Sequence, residues 1–193
     1  MVNRPAEVIP APALDLCLGY ANTRYWRGTE APTEDLKGPD DLVRWAAETQ
    51  RLPHALVERF ARPDTIFDAA IELRETIHRC FTATAAGGAP NATDLAVLNT
   101  ALATAPPRQR VQTGGWDVGT PAPCLGALLA PVLWSAADLL VSTQLSRVRQ
   151  CTNPQCGWLF LDNSKSGNRR WCSMGACGNR AKAHRHYLRQ RQQ

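Results

Sequence analysis

Two pairs of cysteines with the same internal spacing lie near the C-terminus of this 193-residue chain. Cys151 and Cys156 form the first pair, Cys172 and Cys177 form the second, and a fifteen-residue spacer separates the pairs. Zn²⁺ prefers a tetrahedron of soft ligands, and two thiolate pairs can supply one while their charge offsets that of the metal. The spacing therefore predicts one structural zinc ion, bound by these four cysteines in a small module that needs the metal in order to fold.

A disulfide-bonded, exported protein is the main alternative interpretation of seven cysteines. The number is odd, and the first residues of the chain lack the apolar core of a secretory signal. We therefore expect a reducing, cytoplasmic environment, in which Cys17, Cys80 and Cys124 are single thiols buried among apolar side chains.

Charge is divided unevenly between the two parts of the chain. Residues 1–146 contain 12 Lys and Arg against 16 Asp and Glu, whereas residues 147–193 contain 10 against one. Lys and Arg residues that neutralise phosphates release condensed counterions, so nucleic acid is the commonest partner of such a basic segment. The distribution predicts nucleic acid as the partner of residues 147–193, and a solvated basic tail is the alternative.

The residues around the cysteine pairs predict the elements of this C-terminal module. Trp158–Asp162 and Arg169–Cys172 are strand candidates on either side of a turn-rich segment, which predicts a β-hairpin between the pairs. The segment after Cys177 has no proline and many helix formers, so a terminal helix follows. Knuckle, hairpin and helix together make a treble-clef-like zinc finger. The candidate nucleic-acid contacts are Lys182, Arg185 and Arg189 on one face of the helix, followed by Arg169, Arg170 and Arg180.

Residues 1–146 predict a helical domain with one small β-hairpin, so we expect a mainly α fold. Apolar residues repeat every three or four positions over about residues 65–85, and a second helix follows. Gly114-Gly115 predicts the hairpin turn. Residues 124–141 are nearly all apolar, but Pro131 should divide them into two short core helices, so we expect no membrane span.

The N-terminal domain contains one cluster that could bind a ligand. Arg24 and Arg27 can pair with an anion, and Tyr25 and Trp26 can stack on a ring. The same side chains could instead seal a helix end against its neighbours, and this alternative stays open. No nucleophile elbow, phosphate-binding P-loop or HExxH motif occurs in the chain, so we do not expect an enzyme.

The chain resembles the CGNR zinc-finger proteins, a bacterial family in which a C-terminal finger follows an N-terminal ABATE domain. The finger resemblance rests on Cys177–Arg180, which spells the family motif, and on residues 153–162 and 169–187. The matching N-terminal features are Asn22-Thr23-Arg24, residues 41–45 and residues 134–140. The resemblance implies zinc ligation by the four cysteines, double-stranded DNA as the partner and a role in transcription regulation.

These features predict a zinc-dependent DNA-binding transcription regulator whose N-terminal domain senses a small-molecule or protein effector. RNA binding is one alternative, since Trp158, Phe160 and Trp171 could stack on unpaired bases. A protein-interaction adaptor is another, because zinc modules with a basic surface also bind acidic proteins. A single finger has a small footprint on DNA, which favours a homodimer, although no heptad signal supports one.

Overall fold

The architecture was obtained from a computed structural model, which describes residues 8–60 and 64–190 and gives only the backbone at residues 64, 110, 112 and 184–189. The described helices are α1 (Leu16–Ala21), α2 (Pro39–Gln50), α3 (His54–Val57), α4 (Asp64–Ala85), α5 (Ala92–Thr104), α6 (Leu125–Leu128), α7 (Ala130–Val141) and α8 (Asn179–Gln190). The described strands are β1 (Val8–Ile9), β2 (Arg24–Tyr25), β3 (Thr33–Glu34), β4 (Arg110–Gln112), β5 (Gly115–Asp117), β6 (Val148–Gln150) and β7 (Leu159–Leu161). The chain is therefore mainly α, as the sequence predicts.

Helix α4 is the centre of the fold. Leu73, Ile77 and Phe81 recur at intervals of four along one face and are completely or almost completely buried. This face contacts α1, α2 and α5, and it also contacts strands β6 and β7 near the C-terminus. The helix predicted over about residues 65–85 is thus confirmed, and it contacts elements of both the N-terminal and the C-terminal parts of the chain.

The apolar segment 124–141 forms two helices, α6 and α7, and the predicted break is confirmed. Pro131 lies in the first turn of α7, where its missing N–H removes no intrahelical bond. Helix α7 is buried against α1, and the Ser135 hydroxyl accepts the Cys17 amide hydrogen at 3.0 Å and donates to the Leu14 carbonyl at 3.0 Å. Among residues 8–60 and 64–190, no helix is long and apolar enough to cross a membrane.

Two small antiparallel assemblies complete the N-terminal part. The predicted hairpin around Gly114 is formed by β4 and β5, and β1 adds a third strand beside β5. Strands β2 and β3 pair with Arg24 opposite Glu34 and Tyr25 opposite Thr33. The β2–β3 pair places the segment between its two strands close to the cysteine-rich part of the chain.

The finger hairpin differs from the predicted one. Strand β7 pairs with β6, which precedes the first cysteine pair, in the register Val148 to Leu161. The segment 169–172 is not a strand, so the prediction of that strand is wrong. The Asp162 carboxylate accepts hydrogen bonds from the backbone N–H groups of Ser164 and Arg169, which turns the chain away from β7 before a second ladder can form.

Candidate metal centre and nucleic-acid interface

The four cysteines of the two pairs converge on one point. Their Sγ atoms all lie within 4.8 Å of one another. The Cys156 and Cys172 sulfurs are 3.7 Å apart, and those of Cys172 and Cys177 are 3.6 Å apart. A tetrahedral zinc ion with Zn–S bonds of about 2.3 Å requires sulfurs about 3.8 Å apart. The donor set and its spacing fit one structural zinc ion.

The first cysteine pair is positioned by the knuckle between β6 and β7. The Cys151 N–H donates to the Trp158 carbonyl at 2.9 Å, and the Cys156 N–H donates to the Asn153 carbonyl at 2.9 Å. Gly157 closes the knuckle with a φ of +70°, a left-handed conformation that glycine adopts without strain.

The second cysteine pair leads directly into α8. The Ser173 hydroxyl accepts the Ala176 amide hydrogen at 3.1 Å, which caps a π-helical turn over Met174–Gly178. The Asn153 side-chain amide reaches across from the first knuckle and donates to the Cys177 sulfur at 3.5 Å. Cys177 therefore fixes the start of α8 relative to the zinc site.

Protons must leave these thiols when the metal binds. Burial raises the pKa of the Cys156 thiol to about 12. Burial also raises the pKa of Cys172 above its usual value. At Cys177 burial acts in the same direction, but the hydrogen bond from Asn153 and those within the cluster leave the pKa below its usual value. A zinc ion held by these four cysteines would favour the thiolate forms by its charge, so zinc affinity should fall as the pH is lowered.

Aromatic side chains pack around the cysteines. Phe160 is buried against them, and Trp158 and Trp171 are partly buried beside it. Trp26, from the N-terminal part, belongs to the same cluster. These rings form a small core around the cysteines, and the N-terminal part contributes Trp26 to it.

Three of the four candidate ligand-binding residues lie against the finger. The rings of Tyr25 and Trp158 meet edge to face at 6.1 Å. The Arg180 guanidinium lies 4.3 Å from the centroid of the Trp26 ring, and the Arg27 N–H donates to the Cys156 carbonyl at 3.4 Å. Arg24 is on β2, opposite Glu34.

Backbone contact between the two parts is close at Gly28. Its N–H donates to the Gln155 carbonyl at 3.2 Å. A Cβ atom at this position would lie 2.1 Å from the Pro154 carbonyl oxygen, so no larger residue fits without displacing the knuckle. The segment after β2 therefore follows the surface of the first zinc knuckle.

Asn22 ties the finger hairpin to helix α1. Its side-chain amide donates to the Leu159 carbonyl at 2.8 Å and accepts from the Leu159 N–H at 2.9 Å. Asn22 is 5% exposed, and Leu159 is buried in the main core. The amide thus completes the hydrogen bonding of a buried strand edge. Asn22 could be identified from the sequence only through the family resemblance, because its partner is 137 residues away.

The contact of His78 with the finger was also not predicted from the sequence. This residue of α4 lies with its Nε2 3.0 Å from the Gly157 carbonyl oxygen and its Nδ1 3.5 Å from the Thr82 hydroxyl. The carbonyl can only accept, so these contacts assign the neutral tautomer with the proton on Nε2. Burial, followed by the charge of Arg27, lowers the pKa of His78 below its usual value despite the hydrogen bond to Gly157.

Acidification should therefore weaken the contact between α4 and the finger. The unfolded chain takes up the His78 proton near pH 6.5, whereas the folded chain takes it up at lower pH, so the stabilisation is complete above about pH 6.5 and is lost below it. We expect the melting temperature of the wild type to fall between pH 7.5 and 5.5. In His78→Gln this fall should be smaller, and His54→Gln, at an exposed histidine, is the control. An equal fall in all three proteins would contradict the assignment.

The basic residues predicted to contact nucleic acid fall into distinct groups. Arg169 stacks on Phe160 at 4.4 Å, and its Nε donates to the Trp171 carbonyl at 2.9 Å. It also contacts the Cys172 carbonyl, so much of its guanidinium is engaged in stabilising the loop before the second cysteine pair. Arg185 and Arg189 lie on α8, but their side chains are outside the described part of the structure.

Arg170 and Arg180 are exposed and stacked on indole rings. The Arg170 guanidinium lies 5.5 Å from the centroid of the Trp171 ring. The Arg180 guanidinium lies 4.3 Å from the centroid of the Trp26 ring. Stacking uses the face of a guanidinium and leaves its N–H edge available for phosphate. Lys182 is exposed one turn of helix away from the cysteine cluster.

The single acidic residue of the finger adds no negative charge to this surface, because it is buried. Asp162 is fully buried, and its carboxylate accepts from the Ser164 hydroxyl at 2.5 Å and from the Arg169 N–H at 2.9 Å. The hydrogen bond from Ser164, followed by that from Arg169, holds the pKa of Asp162 below its usual value. Within residues 147–190, the exposed charges are therefore positive.

Two family models match the chain. A model of the ABATE family, described as "putative stress-induced transcription regulator", matches residues 14–143. A model of the CGNR zinc finger matches residues 147–190. Neither model describes an enzyme. A comparison with curated proteins finds no match.

Proposed function

We infer that this chain, which belongs to the ABATE family of regulators and ends in a CGNR zinc finger, is a zinc-dependent DNA-binding transcription regulator. The observation that carries the proposal is the pair of stacked arginines, Arg170 and Arg180, in a segment, residues 147–190, whose one acidic residue is buried. Guanidinium groups fixed in this way lose little further conformational entropy when they bind phosphate.

The roles of individual residues follow from this proposal. Cys151, Cys156, Cys172 and Cys177 bind the zinc ion. Arg170, Arg180 and Lys182 contact DNA phosphates, and Arg185 and Arg189 extend the same helix. Arg169 acts indirectly, by stabilising the loop that carries its neighbour Arg170.

We propose residues 1–146 as the regulatory part and residues 147–193 as the DNA-binding part. The regulatory part binds a small-molecule or protein effector and performs no catalysis. Asn22 and His78 contact the backbone of the finger, so a rearrangement of α1 or α4 would move the DNA-binding surface. A DNA partner implies a cytoplasmic location, and a small footprint favours a homodimer.

Neutralising one stacked arginine should reduce the salt dependence of DNA binding. Each phosphate contact adds about 0.9 to the slope of log affinity against log salt concentration. We expect Arg170→Gln to lower the slope by about that amount. The measurement is fluorescence anisotropy on a labelled genomic duplex between about 50 and 200 mM salt, a range over which phosphate contacts change the affinity strongly. Arg44→Gln is the control, because Arg44 is an exposed arginine of the N-terminal part.

Competition distinguishes this proposal from the alternatives. Excess unlabelled RNA of equal length should displace less DNA than the same duplex does. Stronger displacement by RNA would favour an RNA-binding protein, for which the partly exposed Trp171 supplies a stacking surface. Absence of duplex affinity at low salt, with zinc bound, would instead favour a protein-interaction adaptor.

A further inference from the structure

A cleft of about 600 Å³ opens between the first zinc knuckle and the start of α8. Gln155 lines one side, and Arg170, Trp171 and Arg180 line the other parts of its wall. Its volume lies within the range of about 300 to 1,000 Å³ that is typical of small-molecule sites. None of the described residues that line it is acidic, so the cleft suits an anionic ligand.

Trp171 is the aromatic wall of this cleft. The same residue also borders a second cavity of about 330 Å³, which is lined as well by Asn168, Arg169, Arg170 and Met174. The Arg170 guanidinium lies over this indole, and the part of the ring that stays exposed can stack on a planar ring, which any nucleobase offers.

The polar groups that line the cleft differ in how far they are already engaged. Thr152 donates its hydroxyl to the Arg170 carbonyl, and Asn153 donates its amide to the Cys177 sulfur. By contrast, the Gln155 amide and the guanidinium edges of Arg170 and Arg180 make no hydrogen bond or ion pair with the part of the chain that the structure describes. The groups available to bind a ligand are thus one side-chain amide and two guanidinium groups.

We propose that this cleft binds one unpaired nucleotide of DNA. The base stacks on Trp171, the Gln155 amide meets the edge of the base, and Arg170 and Arg180 bind the adjacent phosphates. This inference rests on the proposed DNA-binding function and specifies its ligand. In a matched duplex both faces of each base are covered by neighbouring bases, so the finger should prefer duplexes in which one nucleotide is unpaired. An acidic peptide would satisfy the arginines through its carboxylates, but only an aromatic residue within it would offer a ring for Trp171.

The test compares two labelled duplexes that differ by one unpaired nucleotide. The zinc-loaded, full-length wild type should bind the bulged duplex at least about five-fold more tightly than the matched one, because stacking of one base contributes that much or more. Trp171→Leu should bring the ratio of the two affinities close to one, and the ratio is the readout because loss of the indole under Arg170 affects both duplexes. Trp171→Phe should retain most of the preference.

Trp171 also packs on the cysteine cluster, so the zinc content of each variant is measured first. If Trp171→Leu loses zinc, Gln155→Ala takes its place, because Gln155 is exposed and lies outside the aromatic cluster. This variant should reduce the preference by at least about two-fold, in line with the loss of one hydrogen bond to the base. An unchanged preference in zinc-loaded variants would overturn the assignment of the cleft.

The outcomes for the wild type separate this inference from the proposed function. Equal binding of matched and bulged duplexes would overturn the inference and leave DNA binding intact. No binding of either duplex would overturn the proposed function itself. Deoxyadenosine monophosphate is the probe for a free nucleotide. If the two duplexes bind equally, while this nucleotide binds saturably to the wild type and to Trp171→Phe but more weakly to Gln155→Ala, the ligand of the cleft is a free nucleotide and not a nucleotide of DNA.

Discussion

Removal of zinc should abolish DNA binding by this chain and lower its melting temperature, while most of its helical circular-dichroism signal persists. Chelation is one route, and Cys177→Ser is the matched substitution. Cys177 is the cysteine that directly precedes α8, and its sulfur lies within the cluster of four. Apparent zinc-binding free energies in comparable finger peptides are about 10 to 16 kcal/mol, so loss of the ion should unfold the parts that depend on it.

The persistence of helicity follows from how the core is divided. The β6–β7 hairpin contributes Val148, Leu159 and Leu161 to the main core, where they pack with the N-terminal helices without contacting the metal site directly. The knuckle loops and the start of α8 pack instead around the cysteines and Phe160. Zinc loss should therefore disorder the loops and α8, which carry Arg170 and Arg180, and leave α1–α7 folded.

Cys124→Ser is the control for the substitution, because Cys124 is a partly exposed thiol outside the cluster, and it should retain zinc, DNA affinity and melting temperature. The measurements are zinc content, thermal unfolding followed by circular dichroism, and fluorescence anisotropy on a labelled duplex. Unchanged DNA affinity in zinc-free protein would contradict the prediction. Complete loss of helicity would show that the zinc site also supports the main core.

Features set by local spacing were predictable from the sequence. The two cysteine pairs, the apolar period of α4 and the break at Pro131 each depend on residues within about one helix or one loop, and all three are present in the structure. The partner of β7 was not predictable in this way. Both flanking segments have strand-forming residues, and the choice of β6 depends on burial of Val148 under α4, which is a tertiary effect.

The roles of the arginines could not be separated from the sequence either. Arg169 and Arg170 are neighbours of the same type, yet one stacks on Phe160 and bonds to backbone carbonyls while the other stacks on Trp171 with its edge available. Likewise, the candidate ligand cluster near residue 25 has partners in the finger more than 100 residues later. Tyr25 and Trp26 contact Trp158 and Arg180 of the finger, and ligand binding by this cluster stays a prediction.

Replacement of the buried Arg74 by methionine should lower the free energy of unfolding by about 3 to 5 kcal/mol, because it leaves the Glu34 carboxylate without its partner. Arg74 is 1% exposed, and its two terminal nitrogens donate to the Glu34 carboxylate at 2.5 and 2.7 Å. Its Nε donates to Glu75 at 3.0 Å, and one terminal nitrogen also contacts the Thr23 hydroxyl at 3.3 Å. A lysine could not reproduce this planar fork.

The network continues from Arg74 toward the finger. Glu75 also accepts from Arg27 at 2.6 Å, and Arg27 packs against Gly157 of the zinc knuckle. Burial alone would raise the pKa of Glu75, but its ion pairs with Arg27 and Arg74 leave that pKa below its usual value. The contribution of Glu75 to stability is therefore present above about pH 4.3 and is lost as the pH falls below it. Arg74→Met should weaken this contribution, since one of the two cations is gone.

Arg44→Met is the matched control, because it makes the same change at an arginine whose side chain is 62% exposed and pairs with Asp41 on the surface of α2. An exposed pair of this kind contributes less than about 1 kcal/mol, so urea unfolding should show little change. Equal losses in the two variants would mean that the Arg74 charge is not what stabilises this region. The double variant Arg74→Met with Glu34→Gln should recover part of the loss, because it removes the unpaired carboxylate together with its partner. Such recovery would identify the unpaired Glu34 charge, and not lost packing of the arginine side chain, as the main cost of removing Arg74.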